Sequence, residues 1–420
     1  MKNNTFARYM ALFASVMVLG LGLLYFAGLF PQEKIHQNIV LSTAQFEAEG
    51  EYPNIFNLWN DAYKLDAFSE ALIINHSYFM DTAQNPLSII ENRAFRNSGH
   101  TISCLSEMAE NPGVPGNTER ARYWLGFRAY VRPLLSIMPY QDIRGVLSLV
   151  FFILLFAAFM ATKDSCGTTI AFCFMIAMMS MNLVIVSTSL QYSCCFLIAF
   201  SGVWILCRVK KMQENPVGLF MVLGQATMFF DFYTSPLVTW GMPFILLLAI
   251  KRNEKMQGLR SSLRLLGITL FMWIIGYVGM WLVKMVLNTL FAGQNGFAVF
   301  KSFLYYTGIT KTPENLPEFT AVGSLISCMK KVLTVQNRFA LCIAVPVFLV
   351  CKLRKKNVLK FSDSGLWGYV AAALVPAVWI LCSRQASGGH AYFQYRSLAV
   401  SVLGVLCFVT QLWEQKKMLD

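Results

Sequence analysis

The chain has 420 residues, of which 56% are hydrophobic and only 14% charged, against about 25% charged in a typical soluble domain. A charge at the centre of a membrane helix costs roughly 2.5–3.5 kcal/mol on insertion scales, so the deficit marks a chain whose main solvent is lipid. The net charge of +13 would suit a nucleic-acid partner, but its placement along the chain excludes that reading.

The first apolar run, Tyr9–Phe30, follows Lys2 and Arg8. It matches the roughly 20 residues a span requires and exceeds the 7–15 of a signal-peptide core, so it reads as a retained helix starting in the cytoplasm. Nine further runs follow a long polar stretch: Ile143–Ala161, Thr168–Ser187, Tyr192–Val209, Val217–Phe232, Ser235–Ile250, Leu263–Met285, Arg338–Cys351, Leu366–Cys382 and Ser397–Leu412. Ten spans starting inside place Lys163, Arg208, Lys210, Lys211, the 251–264 and 352–360 basic clusters, Lys416 and Lys417 on one side. Short basic loops face the cytoplasm. Segment 31–142 instead carries 13 acidic and eight basic residues, as a translocated loop should. The positive charge is thus a sorting signal and an attraction to anionic lipid.

The expected fold is an all-α polytopic membrane protein. Residues 1–30 supply the first transmembrane helix and 31–142 a mainly helical extracytoplasmic domain. Residues 143–420 form a bundle of about nine helices with outward loops at 288–337 and 383–396. Both termini are expected in the cytoplasm. The cytoplasmic loops are short and none carries a P-loop, so a site would face outward.

Most of the eleven cysteines lie in or beside apolar runs, where a free thiol behaves as a small hydrophobe. Cys104 and Cys328 fall in outward segments, and a bridge between them is left open, since sequence does not fix connectivity. No cysteine or histidine spacing matches a metal motif.

Within 31–142, Ile55, Leu58, Ala62, Leu65 and Leu72 recur at helical spacing and predict one amphipathic helix over 55–72. Asp61 and Asp66 flank that stripe, pointing about 140° apart on such a helix. Each is either a solvated surface acid or a base. Arg128 and Arg132, four apart in the aromatic stretch before the second span, share a helix face. They suit an interfacial helix or a bidentate phosphate clamp. Asp231 sits at the membrane boundary in the turn Asp231–Pro236, an expensive place for an unpartnered carboxylate, although Asp and Pro also favour turns. Arg384, His390 and Arg396 surround a flexible Gly-Gly before the last span.

This plan resembles the GT-C class of membrane glycosyltransferases, with many helices, a large first extracytoplasmic loop bearing a carboxylate, and basic residues in later loops. The resemblance implies sugar transfer from a polyisoprenyl-phosphate-linked donor to an extracytoplasmic acceptor in envelope glycan assembly. It assigns Asp66 or Asp61 as base and Arg128, Arg132, Asp231, Arg384, His390 and Arg396 to the substrate. Partners would be the lipid-linked donor and membrane lipid, with no nucleic acid and no cofactor; the need for a divalent metal is left open. The family's carboxylate lies closer to the first span than either aspartate here. A transporter or flippase of lipid-linked saccharides, or a non-catalytic envelope-assembly protein, is the alternative. Ion coupling is disfavoured because ionisable residues are missing from the middles of the spans; Lys284 ends the seventh and Arg338 starts the eighth.

Overall fold

The computed structural model describes residues 2–55, 61–97, 99–120, 122–254, 258–310, 317–333 and 364–414. The long α1 (Lys2–Gly28) leads into α2 (Gln32–Glu49), α3 (Ala67–Tyr78), α4 (Ser88–Glu91), α5 (Thr101–Glu110) and α6 (Arg128–Leu135). Then come α7 (Tyr140–Cys166), α8 (Thr168–Met179), α9 (Leu183–Ser187), α10 (Leu190–Arg208), α11 (Lys210–Glu214), α12 (Val217–Phe230) and α13 (Val238–Asn253). The chain continues through α14 (Leu259–Phe291), α15 (Gly296–Thr307), α16 (Ala321–Val332), α17 (Trp367–Cys382), α18 (Arg384–Gly389), α19 (Ala391–Gln394) and α20 (Ala399–Glu414). Among the described residues, the strands are limited to an antiparallel pairing of Arg93–Ala94 with Thr118–Glu119.

Six helices are long and apolar enough to cross a membrane among the described residues: Phe6–Gly28, Tyr140–Cys166, Leu190–Arg208, Leu259–Phe291, Ser364–Cys382 and Ala391–Leu412. The chain is therefore an all-α, multi-pass membrane protein. Residues 338–351, where the sequence predicts an eighth span, lie outside the described residues. The predicted third span is broken: α8 stops at Met179, and Asn182, in the left-handed region at φ 55°, starts α9. The fifth and sixth shorten to α12 and α13. Every residue of α13 from Val238 to Ile250 is buried, as expected for a helix apolar all round at the centre of a bundle. The seventh lengthens into the 33 residues of α14, about 50 Å at 1.5 Å per residue, well beyond the roughly 30 Å of hydrocarbon.

The helices around α13 are one-sided. In α7, Ile143, Leu147, Phe151, Leu155 and Ala158 are buried at helical spacing, whereas Leu149, Ile153 and Phe156 stand exposed. Exposed Val18, Leu19 and Phe26 of α1 and Phe271, Leu282 and Leu290 of α14 continue this outward apolar surface, which suits lipid tails rather than water.

Residues 31–142 pack a core from Ile35, Ile39 and Phe46 of α2, Ala71, Ile74 and Tyr78 of α3, Leu105 and Met108 of α5, and Val131 and Leu135 of α6. That core runs on into Tyr140, Ile143 and Leu147 of α7 and Leu190 of α10, so the outer part is built on the bundle. The helix predicted over 55–72 is corrected here. Ile55 sits in a turn and is 41% exposed, Asp61–Tyr63 is a single 3₁₀ turn, and α3 begins only at Ala67. The Asp66 side chain takes the Ser69 backbone N–H, which caps a new helix start. Ala62, Leu65 and Leu72 are nonetheless buried, while Leu58 lies outside the described residues. Cys104 and Cys328 are both free thiols, so they form no bridge. Cys104 instead donates to Asn97 Oδ1 at 3.0 Å.

Helices α12 and α14 touch through glycines. A Cβ on Gly224 would collide with the Trp273 carbonyl oxygen, and one on Gly276 with that of Met221. Gly224→Ala and Gly276→Ala should each cost about 1–3 kcal/mol through overpacking, read as a lower unfolding midpoint in detergent. Gly22→Ala, whose Cβ would meet nothing, should leave the midpoint unchanged.

Candidate functional site

Asp66 is almost fully buried, at 3% exposure. As the cap of α3 it accepts from the Ser69 N–H and hydroxyl, each at 2.9 Å. A third donor comes from the far end of the chain: the Tyr392 hydroxyl gives a 3.2 Å hydrogen bond to Asp66 Oδ2. Burial pushes the Asp66 carboxyl above the usual carboxylate range, and the Ser69 and Tyr392 hydrogen bonds restrain the rise. Tyr52, 46% exposed, lies edge-on to Tyr392 and stacks on Phe68, so aromatic rings separate the carboxylate from the outer surface.

From Tyr392 the aromatic contacts lead inward. Tyr392 meets Phe393 at 4.9 Å between centroids, and Phe393 meets Tyr192 of α10 at 5.7 Å. The Arg396 guanidinium lies over the Tyr192 ring at 4.2 Å and the Tyr395 ring at 5.1 Å, within cation–π range. Its Nε donates to the Met181 carbonyl at 3.4 Å. Arg396 is 1% exposed; the Tyr192 and Tyr395 hydroxyls lie within hydrogen-bonding reach of its side chain, although neither Nη1 nor Nη2 makes a well-aligned bond among the described residues. Asn182 Oδ1 and Ser397 Oγ are buried without a hydrogen-bond partner among the described residues. Buried polar atoms are ordinarily satisfied. These polar atoms, near the break between α8 and α9, make this the candidate site. Asn182 ties the region together, donating to Ala62 O at 3.3 Å and to the Tyr395 hydroxyl at 2.9 Å.

Comparison with family models, curated proteins and solved structures returns no match.

The other sequence candidates separate into distinct settings. Asp61 is exposed and paired with Lys64 at 2.7 Å and Lys331 at 3.7 Å; its hydrogen bond with Lys64 holds its carboxyl below the usual range. Arg128 spends its donors on the carbonyls of Leu125, Ser88, Ile89 and Trp124 and on Asn92 Oδ1. Arg132 bonds the carbonyls of Ser77, Tyr78 and Phe30 at 2.7–2.9 Å. In this arrangement both arginines brace the chain. Arg384 joins Gly308 O at 3.1 Å and Glu318 at 3.4 Å. His390 is exposed and stacks on Phe393. Asp231 is buried and closes its turn by accepting from the Thr234 N–H at 2.8 Å and hydroxyl at 2.5 Å. That turn touches the Asp66–Arg396 region, since Gln394 donates to Tyr233 O at 2.6 Å and Ser235 to Phe393 O at 3.4 Å. Asp66, Asp231, His390 and Arg396 are thus brought to one neighbourhood through α19, while Arg128, Arg132, Asp61 and Arg384 are engaged elsewhere.

Four contributors escaped the sequence reading: Tyr192, Tyr392, Asn182 and Glu70. Asn182 was legible as an amide inside an apolar run, and Glu70 as the lone acid before Ala-Leu-Ile-Ile. Glu70 is wholly buried and accepts from the hydroxyls of Tyr140 and Ser189; burial raises its carboxyl too. Lys284, expected at a span end, lies inside α14, buried, with its ammonium on Ile90 O at 2.6 Å. Among the described residues no group of three or more metal-ligating side chains occurs.

Burial pushes the Asp231 carboxyl above the usual carboxylate range, up to about 6. A raised carboxyl favours the folded state fully below its unfolded pKa, and that advantage is lost as pH rises through the folded value. Wild-type stability relative to Asp231→Asn should therefore fall between pH 4 and pH 6, by about 3 kcal/mol for the roughly two-unit shift. Paired denaturation curves across that range measure it, and a pH-independent difference would contradict it.

Proposed function

We propose that this protein transfers a sugar from a polyisoprenyl-phosphate-linked donor to a hydroxyl acceptor on the extracytoplasmic side, as the GT-C resemblance implies. The observation that carries the reading is the Asp66–Tyr392 hydrogen bond. It joins a buried carboxylate of segment 31–142 to the stretch that carries Arg396, whose buried guanidinium lies against two tyrosine rings. In the proposed step the acceptor oxygen attacks the anomeric carbon while its proton passes to Asp66. The bond from that carbon to the phosphate oxygen breaks, and the electron pair leaves with the polyprenyl phosphate. Negative charge develops on that oxygen, where a preorganised guanidinium is most effective. Asp231 and His390 border the same region and would contact the sugar or its phosphate.

The membrane arrangement belongs to the same proposal: ten spans, both termini cytoplasmic, and residues 31–142 outside. Its support is the run of basic turns on one side and the acidic segment on the other. A lipid donor held at the outer leaflet removes any need for a nucleotide site. The break at Asn182 also favours a second reading, since discontinuous helices form the sites of many carriers. A flippase for lipid-linked saccharides would use the same polar cluster for the headgroup.

Two measurements follow. In a background without other reactive cysteines, a cysteine at Lys210 should be protected from an impermeant thiol reagent, and one at exposed Gln84 labelled. The reverse pattern inverts the topology. In proteoliposomes with a polyprenyl-phosphate sugar donor, Asp66→Asn should lower turnover at least 100-fold with donor binding retained, because Asn still caps α3. Arg396→Ala should weaken donor binding as well as turnover. Unchanged rates in both variants would remove the site assignment, and donor movement between leaflets without consumption would select the carrier.

A further inference from the structure

At the opposite end of the bundle from Asp66, two cysteines meet. Cys166 is the last residue of α7 and Cys207 the penultimate residue of α10. These helices pack against one another. The Ser165 hydroxyl crosses between them to the Cys207 carbonyl at 2.9 Å, which brings the neighbouring side chains together. The Cys166 thiol donates to the Leu246 carbonyl at 3.8 Å, and the Cys166 sulfur and the Thr162 and Ser165 hydroxyls lie beside the Cys207 sulfur. Neither cysteine is in a disulfide. Cys207 is buried and Cys166 half-buried, next to exposed Lys163 and Asp164. The Arg208–Asp164 pair, 2.8 Å apart and 43% and 48% exposed, shows that the surroundings are polar rather than hydrocarbon. Small hydrophilic reagents therefore have a route to Cys166.

We infer that Cys166 and Cys207 form a redox-responsive dithiol that closes into an intramolecular disulfide linking α7 to α10. The oxidant is a low-molecular-weight disulfide such as oxidised glutathione. The Cys166 sulfur attacks one sulfur of that disulfide, and the departing thiolate takes the Cys166 proton and leaves as one equivalent of thiol. Cys207 then attacks the Cys166 sulfur of the mixed disulfide and releases the second equivalent in the same way. Two protein thiols are oxidised to one disulfide, and one small disulfide is reduced to two thiols. In the proposed topology this end faces the cytoplasm, where disulfides are transient and signal a shift in redox poise rather than stabilise a fold. The inference is independent of the sugar-transfer reading.

The test uses the full-length wild-type protein in detergent micelles, equilibrated with glutathione buffers from reducing to oxidising, then denatured, alkylated, digested and weighed by mass spectrometry. The oxidising end should yield a peptide pair joined through Cys166 and Cys207, lighter by two hydrogens than the separate peptides. Dithiothreitol should return both as alkylated thiols. Recovery of both cysteines alkylated throughout, or of Cys166 carrying glutathione without a bridge to Cys207, would overturn the inference. Cys207→Ser should stop at the mixed disulfide on Cys166; a bridge from Cys166 to another cysteine in that variant would overturn the pairing.

Discussion

Arg132 reaches from α6, just before the second span, to the carbonyls of Ser77, Tyr78 and Phe30. Those oxygens end α3 and close the link after α1, where no helical partner remains for them. A guanidinium can satisfy several such carbonyls at once because its donors form a rigid fork. Arg128 does the same for Ser88 and Ile89 around α4, and Lys284 for Ile90. Trp124 completes the joint with a 2.7 Å bond from its indole to Met280 O of α14. Segment 31–142 is therefore held to the bundle by Arg, Lys and Trp side chains that pair with main-chain oxygens at its edge. The position of everything mounted on α3, Asp66 included, depends on that joint.

The chemistry of the site is the inverse of this bracing. Arg128 and Arg132 spend their charge on carbonyls, whereas Arg396 is buried against two tyrosine rings and within reach of their hydroxyls. A buried guanidinium whose partners are neutral hydroxyls and rings rather than carboxylates carries an uncompensated charge, which is costly. The same contrast separates the acids. Asp61 is neutralised by lysines in solvent, while Asp66 is held by hydroxyl and amide donors and no lysine or arginine. Burial keeps the Asp66 carboxyl above the usual carboxylate range, against the lowering effect of those hydrogen bonds.

Glu70 extends the site's support. One turn beyond Asp66, it takes hydroxyl bonds from Tyr140 of α7 and from Ser189, which caps α10. Nearby, Arg144 clasps both Glu49 oxygens at 3.0 Å and bonds Thr188 O. Helix α3 is thereby pinned to the second span and to the helix that carries Tyr192. The carboxylate and the cation–π pair sit on connected rigid elements, as a preorganised site requires.

Membrane insertion was legible in the sequence, because hydropathy is additive along a chain and needs no knowledge of the fold. The buried faces of α2 and α7 follow from the same periodicity. The loop before the last span was also visible as a cluster of Arg, His and aromatics. Three things were decided only in three dimensions. The regular apolar spacing over 55–72 described burial correctly at Ala62, Leu65 and Leu72 but not conformation, since Asp66 captures the Ser69 amide and starts a helix where the pattern continues one. The break at Asn182 is invisible in an apolar run, because it is stabilised by Tyr395 and Ala62, more than a hundred residues away in either direction. Last, Arg132 and Arg396 are the same residue type in similar aromatic company, and sequence alone could not tell brace from site. What separates them is the supply of carbonyl acceptors around each guanidinium, a property of the packed structure rather than of neighbours in the chain.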